Sequence, residues 1–163
     1  MPYTTRPSRA NYAPSEPLPQ HLAHRPVYAL PYEHFDGIYA GDTNMKYISI
    51  GLSQWDPDEV SIKTMRYTGE RWTRLAEEMP LHRAIDMTLF LAKTVFDQQN
   101  SRVVIPAETL LDQDAEILIT PEARSYGEMS SYNAFLAEHS GLLKDRLRAL
   151  SDVLNSLKED GKI

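Results

Sequence analysis

The sequence contains no cysteine, which excludes a disulfide scaffold, a thiolate metal site and a cysteine nucleophile. Glycine is scarce, with 7 among 163 residues, and no glycine-rich phosphate loop or dinucleotide-binding fingerprint occurs. No apolar run approaches the roughly 20 residues that a helix needs to cross a bilayer. The formal charge of −6 disfavours wholesale binding to nucleic acid or anionic lipid. These absences leave one domain of ordinary size, for which we expect no cofactor and no membrane association.

Prolines are concentrated at the N-terminus, where seven of the eleven lie within residues 1–31. Each proline fixes φ and removes a backbone donor, so neither a helix nor a central strand is expected there. We predict a disordered or extended arm over residues 1–25 and an α+β domain over residues 26–125. The arm carries three arginines against one acid, so partner docking and organelle targeting stay open as alternatives to a plain arm.

Alternating apolar and polar residues predict an antiparallel β-meander of four to five strands. The clearest strand contains Ile48, Ile50 and Leu52, which mark its expected core face. A turn around Pro57 leads into the return strand. The expected strands are an edge strand within Val27–Tyr39, then Lys46–Trp55, Val60–Tyr67 and Arg71–Glu77, followed by two short strands at Arg102–Ile105 and Glu116–Ile119.

The hydrophobic period changes after Met79 and Pro80, and proline is favoured in the first turn of a helix. From Leu81 to Phe96 the apolar residues cover an arc of about 200°. An arc of this width predicts contact with more than one neighbour, the sheet on one side and a helix or partner on the other. We therefore predict an α+β fold in which the meander packs against this helix.

Residues 126–163 are predicted to form a long or broken C-terminal helical region. Gly141 costs a helix interior about 1 kcal/mol relative to alanine, so the helix either continues through Ser140 and Gly141 or breaks there. The helix either packs back on its own chain or pairs with the same helix of a second chain. We favour a homo-oligomer, because a heptad seam requires a facing helix. The seam consists of regularly spaced leucines, namely Leu136, Leu143, Leu147, Leu150, Leu154 and Leu157.

One constellation has the residue types of a metal or acid–base site. Glu78, His82 and Asp86 follow one another at intervals of four residues, which places His82 and Asp86 on one helical face. Two carboxylates and an imidazole can bind a divalent metal or act as acid and base. The simpler alternative is that the acids interact with the helix dipole and that His82 and Asp86 form an ordinary i,i+4 pair.

Basic and aromatic residues alternate along one face of the predicted sheet. The window Ser61–Arg74 holds four basic residues and one acid, a local charge of +3. Aromatic rings beside basic groups provide the stacking and phosphate neutralisation that single-stranded nucleic acid requires. The alternative is that the C-terminal helix covers this face as core. The candidate nucleic-acid-binding residues are Tyr47, Trp55, Lys63, Arg66, Tyr67, Arg71 and Trp72.

The central third of the chain resembles a bacterial family of unknown function. The resemblance is carried, within residues 46–95, by the stretches YISIGLSQWD, EVSIKTMRYTGERW and EEMPLHRAIDMTLFLAK. It implies a strand–strand–helix block and no activity, so no residue role is transferred. The order of strands followed by a helix is also similar in topology to the Whirly and coactivator types of single-stranded DNA-binding protein, which share no motif with this chain.

We expect a non-enzymatic, cytoplasmic binding or accessory protein that acts as a homo-oligomer or with another protein as its partner. Single-stranded nucleic-acid binding through the sheet is the second hypothesis, although the net charge disfavours it. A metal-dependent enzyme built on Glu78, His82 and Asp86 is the third.

Overall fold

The structure, a computed structural model, describes residues 12–163. The chain divides into two compact units, Met1–Ile85 and Asp86–Ile163. Residues 12–163 contain a four-stranded antiparallel sheet, a two-stranded sheet and two α-helices, which confirms the predicted α+β class. No helix within residues 12–163 has both the length and the apolarity that a bilayer span requires.

The larger sheet is a meander, as predicted. Its strands are β1 (Arg25–Pro31), β2 (Met45–Leu52), β3 (Val60–Arg66) and β4 (Glu78–Pro80), paired in that order and all antiparallel. A 3₁₀ turn over Gly37–Tyr39 replaces the later part of the expected edge strand.

The predicted strand Arg71–Glu77 is wrong, because the strand that pairs with β3 is Glu78–Pro80. An isolated bridge between Tyr67 and Trp72 and single backbone hydrogen bonds, from Thr73 N–H to Arg66 and from Thr64 N–H to Glu77, join the preceding segment to β3 without a regular ladder. The Nζ atom of Lys63 lies 2.9 Å from the carbonyl oxygen of Ala76 and 3.4 Å from that of Arg74. A side chain thus satisfies carbonyl groups that a regular ladder would otherwise pair.

The sheet buries the face opposite to the predicted one. Ile50, expected in the core, is exposed, whereas Tyr47 on the other face is 9% exposed and Met65 is 1% exposed. The residues that cover Tyr47 and Met65 include Leu22, which is also buried, together with the half-buried Leu18. The cover therefore comes from the segment before β1, whereas the sequence had suggested the C-terminal helix.

Residues 12–24 of the proline-rich segment form no strand or α-helix, but they contact the sheet. The hydroxyl of Tyr47 donates to the carbonyl oxygen of Glu16 at 2.9 Å, and Ser15 donates through its backbone N–H to Glu33 at 2.8 Å. Residues 12–24 of the predicted arm thus pack against the sheet through these hydrogen bonds. The expectation of disorder for residues 1–11 falls outside the described residues.

Helix α1 spans Leu81–Phe96, the range that the hydrophobic period predicts. In the second unit, β5 (Val103–Ile105) and β6 (Ile117–Ile119) fall within the two expected short strands, and they pair with each other in antiparallel fashion. Helix α2 then runs through Tyr126–Glu159 without a break at Gly141. Ser125 caps its N-terminus by accepting from the backbone N–H of Glu128.

Candidate functional site

A network of polar side chains lies buried against the covered face of the larger sheet. Ser49 on β2 pairs in register with Lys63 on β3, and Lys63 pairs in turn with Glu78 on β4. Paired residues of neighbouring strands point to the same face, so register alone places these three side chains in one row. His24, the residue before β1, joins the row and is 1% exposed.

Hydrogen bonds connect this network around one carboxylate oxygen. Glu78 Oε1 accepts from Ser61 Oγ at 2.7 Å and from the backbone N–H of Gln54 at 3.0 Å, and it lies 3.1 Å from His24 Nδ1. The other imidazole nitrogen, Nε2, lies 2.9 Å from Ser49 Oγ. Because a carboxylate only accepts, this geometry favours the tautomer in which Nδ1 carries the proton and Nε2 accepts from Ser49.

Lys63 contributes the positive charge of the network. Its Nζ lies 3.6 Å from Glu78 Oε2, and both side chains are almost completely buried. Within residues 12–163, Oε2 has no hydrogen-bond partner. The ion pair is therefore loose, and the carboxylate is held mainly through its other oxygen.

Burial and hydrogen bonding act in opposite directions on the two charges. Burial alone would raise the pKa of Glu78, but hydrogen bonds from Ser61, Gln54 and His24 outweigh it and lower that pKa. Burial lowers the pKa of Lys63, and the nearby carboxylate of Glu78 offsets only part of this effect. The network stabilises an ionised carboxylate and disfavours the charged lysine.

The chain of contacts from Glu78 through His24 to Ser49 has the connectivity of an acid–base–nucleophile triad. Ser49, however, is 0% exposed and lies in the middle of a central strand. A reacting carbonyl group cannot approach its Oγ in this structure. The arrangement therefore joins the segment before β1 to three strands, and its hydrogen bonds compensate for burying polar groups.

A cavity of about 590 Å³ opens beside the network. Its walls include several basic residues and no Asp or Glu, although the whole chain has more acidic than basic residues. The basic lining residues are His21, His24, Arg25, Lys63 and Arg74.

The seven residues of the predicted nucleic-acid face have different surroundings in the structure. Tyr47 and Lys63 are buried, and Trp55, in the turn after β2, is 64% exposed. Arg66 pairs with Glu77 at 3.0 Å. The remaining three residues line one further cavity of about 790 Å³, and they are Tyr67, Arg71 and Trp72.

The Arg66–Glu77 pair lies at the margin of the sheet. The hydrogen bond from Arg66, followed by one from Thr64, lowers the pKa of Glu77 to about 2. The same hydrogen bond with Glu77 raises the pKa of Arg66. Arg66 is thus engaged with a neighbouring acid, which reduces its ability to contact a phosphate.

The predicted metal constellation of Glu78, His82 and Asp86 is not formed. The side chain of Glu78 belongs to the buried network, whereas His82 and Asp86 are exposed on α1. Among residues 12–163, no group of three or more His, Asp or Glu side chains could hold a metal ion. The three residues do follow one another at intervals of four in the sequence. Glu78, however, belongs to β4 and not to α1, so it does not share the helical face of His82 and Asp86.

The predicted seam lies along α2. Leu150 is 39% exposed and Leu154 is 41% exposed, and no residue of this helix is buried. The other four seam leucines are half-buried, namely Leu136, Leu143, Leu147 and Leu157.

The sequence reasoning missed His24, Ser49 and Ser61. Ser49 and Ser61 occupy alternate positions of strong strands, and we interpreted those positions as solvent-facing. A serine and a lysine on one face of two central strands form a weak signal, because the same pattern is typical of an exposed face. His24 carried no signal, since its role depends on the packing of the segment before β1.

No curated protein and no solved structure matches the chain. A family described only as a family of unknown function, DUF6530, matches residues 17–159. The match includes residues 46–95, on which the resemblance to a family of unknown function was based, and it extends over both units. Because it spans most of the 163 residues, the chain belongs to the DUF6530 family, whose function is unknown.

Proposed function

We propose that this protein is a non-enzymatic, cytoplasmic binding or accessory protein that acts as a homodimer through α2. The proposal rests on the length and exposure of this helix, which has 34 residues, none of them buried. An α-helix of that length spans about 51 Å. Isolated helices depend on packing of an apolar face for most of their stability.

The exposed apolar residues of α2 support pairing with a second copy of the chain. Val153 is 56% exposed and lies at the edge of the leucine seam, one turn after Leu150. Burying one such side chain contributes roughly 1.5–3 kcal/mol. Leucines at alternating intervals of three and four residues form the seam of a two-helix coiled coil, and the same helix of a second chain provides a matching seam.

Light scattering on the full chain tests the dimer. Leu154→Asp places a charge on the seam, so we expect the mass to fall to that of one chain, 18.6 kDa. Ser156→Asp is the matched control, because Ser156 lies on the opposite side of the helix and is exposed. Equal masses for the two variants would place the interface elsewhere, and circular dichroism would establish that both variants keep their helical content.

Binding of single-stranded nucleic acid is the second candidate. The observation that favours it is that Tyr67, Arg71 and Trp72 line the same cavity. The burial of Tyr47 and Lys63 counts against the larger surface that the sequence suggested. A mixed oligonucleotide should then quench tryptophan fluorescence, and the apparent affinity should weaken as salt rises. Quenching that does not depend on salt would argue against phosphate contacts.

A further inference from the structure

Two neighbouring cavities of the first unit share one wall. The cavity beside the polar network measures about 590 Å³ and the cavity lined by Trp72 about 790 Å³. His21, Leu22 and Arg74 line both. Each volume falls within the usual range for small-ligand pockets, roughly 300–1,000 Å³.

Among the described residues, the first cavity is lined by basic side chains and by no acidic one. Arg25 and Arg74 are exposed, and neither guanidinium has an ion-pair partner within residues 12–163. Lys63 also lines this cavity, but its Nζ is engaged by Glu78 and by the carbonyl oxygen of Ala76, so the two arginines are the groups left to bind an anion. Guanidinium groups form strong, charge-assisted hydrogen bonds with phosphate, so these groups favour a phosphate over a cation.

His24 does not take part directly in this recognition. Both of its ring nitrogens already contact partners in the buried network. Its function at the cavity is to hold the segment that carries His21 and Arg25 against the sheet. The anion-binding groups are thus mounted on a segment whose position the network determines.

The second cavity provides an aromatic surface. Trp72 is half-buried, with its ring centroid 5.3 Å from that of Tyr67 and 6.3 Å from that of Tyr47. Neighbouring rings keep the indole in place, and an indole is a good stacking partner for a nucleobase. Arg71 lies in the same wall, and Glu70 is the one acid there.

We propose that the two cavities together bind a mononucleotide, with its phosphate between Arg25 and Arg74 and its base against Trp72. The proposal names a ligand for the binding role above and rests on that role. It does not depend on self-association, because both cavities lie within the first unit. Arg74 connects the two halves of the ligand, since it borders both cavities.

The test uses the full chain with Trp55→Phe, so that Trp72 is the only remaining tryptophan. Trp55 lines neither cavity, and its exposed side chain makes this replacement mild. We expect adenosine monophosphate to change the fluorescence of Trp72 in a saturable manner. Inorganic phosphate should compete with it, and the apparent affinity should weaken as salt rises.

Arg74→Gln in the same background should weaken the affinity for the nucleotide by about tenfold, the loss expected for one charged hydrogen bond. Arg83→Gln is the matched control, because Arg83 is exposed in the same unit and lines neither cavity. Thermal unfolding of both variants establishes that the fold is kept. Equal affinities for the two variants would overturn the proposal.

Three further outcomes would also overturn it. Saturation by inorganic phosphate without any preference for the nucleotide would indicate a phosphate site alone. Much tighter binding of an oligonucleotide than of the mononucleotide would indicate a nucleic-acid surface. An unchanged Trp72 signal at millimolar nucleotide would mean that no base stacks there. In each case the mass measurement on Leu154→Asp still decides the dimer separately.

Discussion

The two units of the chain treat polar and apolar side chains in opposite ways. The first unit buries His24, Ser49 and Lys63 and satisfies most of their polar atoms internally. The second unit, all of which is described, has only Val103 and Ile105 as buried residues. A fold normally buries its apolar side chains and exposes its polar ones. The first unit thus combines an apolar cluster with a buried polar network, whereas the second leaves most of its apolar side chains at least partly exposed.

Replacing Glu78, the central carboxylate of the buried network, should cause the largest loss of stability. Glu78→Ala removes the acceptor for three neighbours and leaves Lys63 buried without its counter-charge. Breaking a buried pair from one side costs about 3–5 kcal/mol, so the free energy of unfolding in urea should fall by that amount. Glu77→Ala is the control, since the Glu77 side chain is 55% exposed, and it should cost less than about 1 kcal/mol. Similar losses for both variants would mean that the network is not a structural core.

The substitution Gly51→Ala, which adds a methyl group, should cause the second-largest loss of stability. A Cβ atom at this residue would lie 2.0 Å from the carbonyl oxygen of Arg25, which is a backbone atom of the paired strand. The strands must separate locally, and overpacking of this kind costs roughly 1–3 kcal/mol. Thermal unfolding of Gly51→Ala should show a clear loss, and an unchanged midpoint would contradict the close β1–β2 approach.

The equivalent substitution in the second unit should have the opposite sign. Gly141 lies inside α2, and a Cβ atom there would meet nothing within 4 Å. Alanine in a helix interior is favoured over glycine by about 0.5–1 kcal/mol. Gly141→Ala should therefore raise the unfolding midpoint. A loss of stability would indicate that a partner chain packs closely against this position.

The pH dependence gives the smallest expected effect. The pKa of Glu77 is lowered from its ordinary value of 4.5 to about 2, chiefly by the hydrogen bond from Arg66. A lowered carboxyl pKa stabilises the folded state above pH 4.5, and this contribution is lost as the pH falls from about 4.5 to 2. Since Glu77 is about half exposed, the loss should stay below about 1 kcal/mol. Denaturant titrations of Glu77→Gln should show a flatter profile across this range than the unmodified chain.

Local signals predicted those parts of the fold that depend on neighbours along the chain. Helix α1 begins immediately after Pro80 and ends at Phe96, as proline preference and the change of period indicated. The two central strands followed from their alternation, although Trp55 and Tyr67 lie beyond their ends. The strand expected over Arg71–Glu77 failed for a non-local reason, because Lys63 reaches across to bind carbonyl groups of that segment.

The sequence by itself determined the α+β class, the two central strands, the bounds of α1 and the helical C-terminal region. These features depend on periodicity, proline placement and turns, which act over a few residues. Only the tertiary structure decided which face of the larger sheet is covered. Strand alternation distinguishes two faces but does not say which one a distant segment will cover. Here the segment before β1 covers the face of Tyr47 and Met65, and this brings His24 to Ser49 and Glu78.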